Sequence, residues 1–273
     1  MKSLLVHLEG GPRCAARLAV AEQLASRLQG RILALFAAGP PLFALTGVPG
    51  DEAASAQLLD EVHAGWRSEA VHAFEATGRD VPTAWAEVGL AESPVAGMVA
   101  QAMYADLVVL GQHDPDDADP RVPADFATDV LLDSGRPALV LPHAGRHGRV
   151  GRRVLVAWKP NAPSARALSA ALPLLRDAEQ VTVVEWGTRP PACRGAALDL
   201  ELYLRLHGVQ ATLEREEREP GDVGERLLSR AADLDADLMV MGCYGHSRAR
   251  EWVLGGATRT MLRSMTLPVL LCH

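Results

Sequence analysis

Gly242 and Gly245, then Gly255 and Gly256, are the residues of this 273-residue chain whose type and spacing point most directly to chemistry. They lie in MGCYGHSRAREWVLGGAT, residues 241–258. Without a Cβ, a glycine lets a ligand approach the main chain and tolerates positive φ. Amides at the start of a helix attract anions, helped by the helix dipole. One glycine pair closing a strand and one opening a helix could therefore cradle phosphate from two sides. The same glycines would also serve as tight turns, and spacing alone leaves both readings open.

Other reactive constellations are missing. There is no Gly-Lys pair for a Walker loop, no GxSxG and no HExxH. Cys14, Cys193, Cys243 and Cys272 form no CxxC and no metal-ligand spacing with histidine, so reduced, idle thiols are expected. His7 falls in a strand and reads as a satisfied core or edge histidine rather than a base. His246 sits in the glycine loop without an oriented partner, and Ser247 lacks an activating base. No catalytic residue and no metal site are therefore assigned. Asp114, Asp116, Asp117 and Asp119 crowd one loop, but they lack the glycine and terminal glutamate of an EF-hand. They read as a solvated acidic loop that would repel a triphosphate.

Two copies of one unit position these residues. ADLVVLG at 105–111 returns as ADLMVMG at 236–242, and RPALVLP at 136–142 answers TLPVLLC at 266–272. SLLVHL at 3–8 parallels RVLVAW at 153–158, an offset of 150 against 131 for the ADL strands. The first copy thus carries an insertion of 19 residues, and GPPLFALTGVPGDEAASAQLLDE from Gly39 is the candidate: a loop, then an amphipathic helix. In the second copy VLVAW, VTVVEW, QATLERE, DLMVMG and PVLLCH read as strands. ARALSAALPLL, ALDLELYLRLHG, GERLLSRAADLD and RTMLRSM read as helices between them. Near-continuous apolar runs suit central parallel strands covered on both faces. The expected fold is α/β, two tandem doubly wound domains over 1–146 and 150–273, with HAGRHGRVGRR at 143–153 as linker.

The net charge of −7 opposes nucleic-acid binding. No apolar run reaches membrane-spanning length, and MKSLLVHLEGG is too short for a secretory signal, so a cytoplasmic protein is expected.

With its glycines at G-x2-G-x9-G and its flanking ADLMVMG, GHSR and TLPVLL, the chain resembles the universal stress protein family, nearly end to end and in two copies. The resemblance implies two Rossmann-like, mainly parallel five-stranded sheets of order 3-2-1-4-5, similar to adenine-nucleotide alpha hydrolases. It implies ATP or a related adenine nucleotide, with Mg2+ accompanying it, in the second domain. The implied contacts are Ala157, Lys159, Val184, Met241, Gly242, Gly245, His246, Gly255, Gly256, Ala257 and Thr258. Gly256 departs from the family's Ser, Thr or Asn, and Lys159-Pro160-Asn161 from its Asp-Gly-Ser-like turn. The first domain keeps only Gly111 of the motif and reads as a degenerate structural partner. A regulatory, stress-response role with at most slow ATP hydrolysis follows. So do an intramolecular pseudo-dimer pairing LVLP with VLLC, a homodimer of the whole chain and an unidentified protein partner. The alternative is a tandem scaffold that binds proteins and no nucleotide.

Overall fold

The computed structural model describes residues 1–40, 52–77, 80–117, 121–144, 148–186, 197–216, 222–243 and 256–273. The chain divides into two compact units, Met1–Arg136 and Pro137–His273. Unit 1 runs β1 (Ser3–Leu8), α1 (Arg13–Leu28), β2 (Arg31–Phe36), α2 (Glu52–Ala76), β3 (Thr83–Glu87), α3 (Pro94–Ala102), β4 (Leu107–Gly111) and α4 (Phe126–Ser134). Its strands lie in the order β3-β2-β1-β4, all parallel.

Unit 2 opens with β5 (Ala138–Leu141), then β6 (Arg153–Trp158), α5 (Ala162–Leu175), β7 (Gln180–Trp186), α6 (Leu200–Leu206) and β8 (Thr212–Glu216). It closes with α7 (Val223–Asp233), β9 (Leu238–Gly242), α8 (Ala257–Ser264) and β10 (Val269–Cys272). Strands β8-β7-β6-β9-β10 are parallel and stand in the expected 3-2-1-4-5 order. Within unit 2, β5 pairs antiparallel with β10, Val140 opposite Val269.

The elements follow from where the apolar residues fall. In β4 and β9 the four residues before the closing glycine are all buried, as strands covered on both faces require. On α1 the buried residues Cys14, Arg17, Leu18, Val20, Ala21, Leu24 and Ala25 form one helical stripe. One member of that stripe, Arg17, is charged.

Two expectations need correcting. The helix expected from Ala197 starts three residues later as α6, because the Asp199 carboxylate accepts from the Leu202 amide and caps it there. The segment expected as a linker is structured at its end: Val150 is buried, and the amides of Gly151 and Arg152 donate to Asp237 Oδ1 at 2.8 and 2.9 Å. Of the insertion, Gly39–Pro40 and the helix α2 are described; residues 41–51 lie outside the described residues.

Candidate functional site

In unit 2 the parallel register sets Ala157 opposite Val184 on one side and Met241 on the other. Three of the expected contact residues thus form one row across β7, β6 and β9, near the carboxyl ends of the strands. Connections diverge on either side of β6, which is where crevices open in such sheets. All three residues are buried. Lys159 follows β6 directly, half-buried in a turn closed by the Asn161 amide on its own carbonyl at 2.7 Å. Asn161 caps α5, its Oδ1 accepting from Ser164 N at 2.9 Å.

Gly242 ends β9 against that capped helix. A Cβ there would collide with the backbone nitrogen of Ser164 and come 2.6 Å from the carbonyl carbon of Pro163. Close packing of α5 on β9 is therefore enough to require this glycine, whatever the ligand. Backbone cannot yield as a side-chain tip can, so Gly242→Ala should cost about 1–3 kcal/mol in urea denaturation. A neutral substitution would show that α5 sits farther from β9.

Gly256 is the N-cap residue of α8, extended at φ −63° and ψ 156°, with no side-chain cap hydrogen bond and no acidic residue in the helix's first turn. Thr258 is buried and Ala257 half-buried. The Thr260 hydroxyl reaches Asp222 Oδ2 at 3.3 Å, tying α8 to the N-cap residue of α7. Gly245, His246 and Gly255 lie outside the described residues, with Ser247, Arg248, Arg250 and Trp252.

Unit 1 holds a cleft of about 290 Å³ at the corresponding place, between the turn after β1 and the loop after β4. Its interior is polar. Arg17, 3% exposed, crosses from α1 to donate through Nε to the His7 carbonyl at 2.9 Å, and its Nη2 pairs with the Glu9 carboxylate. A Cβ on Gly111 would strike the Arg17 guanidinium. At the 150-residue offset, His7 and Arg17 stand where unit 2 has Ala157 and Ala167. Large side chains fill the space between α1 and β4, whereas small ones let α5 close on β9.

Burial holds His7 neutral, with a pKa of about 4 that the nearby Glu9 carboxylate raises only in part. Its Nε2 lies 2.8 Å from the Ala37 carbonyl, which only accepts, so the neutral ring carries its proton on Nε2. As expected, this is a satisfied core histidine. Although burial alone would raise it, the Arg17 guanidinium holds the Glu9 carboxyl below the usual glutamate range.

At the cleft mouth, Gly10 and Gly11 have φ of +88° and +81°. A Cβ on Gly10 would come 2.6 Å from both the Trp66 carbonyl oxygen and Arg121 Nη1. The Gly11 amide donates to Glu69 Oε2 at 2.8 Å, and Arg121 Nη1 donates to the same oxygen at 2.7 Å. The Arg121 guanidinium lies 5.2 Å over the Trp66 ring. The acidic loop is less uniformly solvated than expected. Asp116 and Asp117 are exposed, but Asp114 pairs with Arg13 and accepts from the Asp116 amide through Oδ1 at 3.0 Å. Asp119 lies outside the described residues. No group of three metal-binding side chains occurs among the described residues.

The sequence reading passed over Arg17, Trp66, Glu69 and Arg121. Arg17 left a signal, a charge inside an apolar stripe that demands a buried partner. Glu69 and Arg121 left none, because 52 residues separate them.

The model of the "Universal stress protein family" matches residues 151–273. A universal stress protein from Archaeoglobus fulgidus aligns over 99% of this chain and 95% of its own, at 16% identity and TM-score 0.66. A putative universal stress protein from Pseudomonas aeruginosa covers 100% of this chain and 93% of its own, at 18% identity and TM-score 0.57. These two likenesses establish the tandem fold. A universal stress protein in complex with cAMP aligns over 52% of this chain and 98% of its own, at 17% identity and TM-score 0.32. No curated protein matches the chain.

Proposed function

We propose, on the premise that residues 151–273 are a universal stress protein domain, that the chain binds ATP or a related adenine nucleotide in that domain alone and acts by regulation rather than catalysis. The observation that carries this reading is the start of α8. Gly256 offers no side-chain acceptor to the start of the helix, its carbonyl taking the amides of Arg259 and Thr260, and the first turn holds no carboxylate. An anion at this terminus would complete the helix electrostatically. Gly242 ends the neighbouring part of the G-x2-G-x9-G pattern, and the row Ala157, Val184 and Met241 supplies an apolar floor beside β6. Lys159 would balance phosphate charge, with Gly245, His246 and Gly255 closing the loop side and Mg2+ accompanying the phosphates. The domains in this reading are 1–146 and 150–273, in a cytoplasmic protein. No described helix is long and apolar enough to cross a membrane.

Gly256→Asp separates ligand binding from folding. The backbone at residue 256 suits an L side chain, so the new carboxylate caps α8 and stabilises it by about 1 kcal/mol. The same carboxylate occupies the amides and repels phosphate. ATP and ADP titrated calorimetrically should bind the natural protein saturably. In Gly256→Asp they should bind at least about tenfold more weakly, with Tm equal or higher. Absence of saturable binding at millimolar nucleotide in the natural protein refutes the reading.

A further inference from the structure

Unit 1 carries its own anion. Helix α1 begins after Gly10 and Gly11 with no side-chain cap hydrogen bond and no acidic residue in its first turn. Its counterpart α5 is capped internally by Asn161. The charge missing from the start of α1 comes instead from α2: Glu69 Oε2 takes the Gly11 amide and the Arg121 guanidinium together. Arg121 is itself fixed, its carbonyl accepting from the Gly39 amide at 2.7 Å and its guanidinium lying over Trp66. Trp66 and Glu69 stand three residues apart on α2, so one helix face supplies both the ring under Arg121 and the carboxylate beside it. A glycine amide just ahead of a helix and an arginine converging on one carboxylate oxygen are donors of the kind that recognise a phosphate or carboxylate ligand.

We propose that Glu69 is a built-in substitute for a ligand anion, an autoinhibitory contact that keeps the mouth of the unit 1 cleft closed to phosphate. The device goes beyond nucleotide binding in unit 2 and is independent of it. It gives unit 1 a specific reason to stay empty of anions: the donors are present and already used.

The test uses the full-length, 15N-labelled protein and inorganic phosphate, followed at the Gly11 amide by NMR. In the natural protein the Gly11 signal should not move. In Glu69→Ala it should titrate saturably, with phosphate affinity raised at least about tenfold. Glu69→Ala/Arg121→Ala should lose that gain. If Glu69→Ala does not fold, Glu69→Gln, which keeps the shape and drops the charge, should show an intermediate gain. A folded Glu69→Ala or Glu69→Gln protein whose Gly11 signal stays still overturns the proposal. So does a natural protein whose Gly11 titrates as readily as the variant's. Phosphate shifts confined to Gly256–Thr258 report on unit 2; with Gly11 still in the variants, they count against the device while leaving the nucleotide reading intact.

Discussion

Arg17→Met destabilises unit 1 by about 3–5 kcal/mol, the usual cost of stranding one member of a buried ion pair. Methionine fills much of the arginine's volume, so the loss is electrostatic and not a cavity effect. Glu9 would keep its charge without the guanidinium that stabilises it, and the His7 carbonyl would lose its Nε–H donor. The Arg17 side chain is 4% exposed and that of Glu9 18%, so water replaces little of what is lost. Arg17→Lys should not rescue the fold, because an ammonium cannot serve both oxygens as the planar fork does. Removing both charges, in Glu9→Leu/Arg17→Met, should restore most of the stability, since an apolar pair of similar volume is often as stable as the ions it replaces. Denaturation of the unit 1 transition reads all three. An Arg17→Met loss under about 1 kcal/mol would mean that water reaches the pair.

That experiment also marks where sequence reasoning stopped. The duplicated order of strands was legible because period and apolar content repeat: ADLVVLG and ADLMVMG can only be buried strands in such a pattern. Glycine positions were legible as places without a Cβ, but not the reason for each. Gly242 is required by the backbone of α5, Gly111 by the Arg17 guanidinium, and Gly10 by Trp66 and Arg121. Different neighbours impose the same residue type at the three positions, and none of them adjoins its glycine in the chain. The surroundings of the loop after β4 were not legible for the same reason. Its local text shows a run of aspartates, whereas its electrostatics depend on Arg13, Arg17 and Arg121, brought in from α1 and from the segment before α4. Charge counted along a loop is not charge counted in space.

The same buried cluster predicts how the protein meets acid. His7 has an ordinary pKa of 6.5 when unfolded and about 4 when folded, because burial penalises the imidazolium more than Glu9 assists it. Between those values the unfolded chain takes up a proton that the folded chain refuses, so stability falls as pH falls. Its contribution is complete above pH 6.5 and lost progressively down to about pH 4, for a total of roughly 3 kcal/mol. Glu9 acts in the same direction but lower. Its folded pKa lies below 4.5, so its stabilisation goes only as pH drops beneath that value. His63 is also held below its usual value by burial, with Asp60, Glu87 and Arg67 as charged neighbours, and adds its own slope. The histidines therefore set the fall between pH 6.5 and 4.5, opposed in part by Glu22, whose carboxyl burial and Asp80 hold above its usual value, and Glu9 joins below it. His7→Gln keeps a donor for the Ala37 carbonyl and removes the titration. Urea midpoints across this window should fall steeply for the natural protein and distinctly less for His7→Gln, with His63 supplying the remainder. Parallel curves would mean that His7 takes up its proton without leaving the core, and that Glu9, 3.4 Å from its Nδ1, compensates the charge after all.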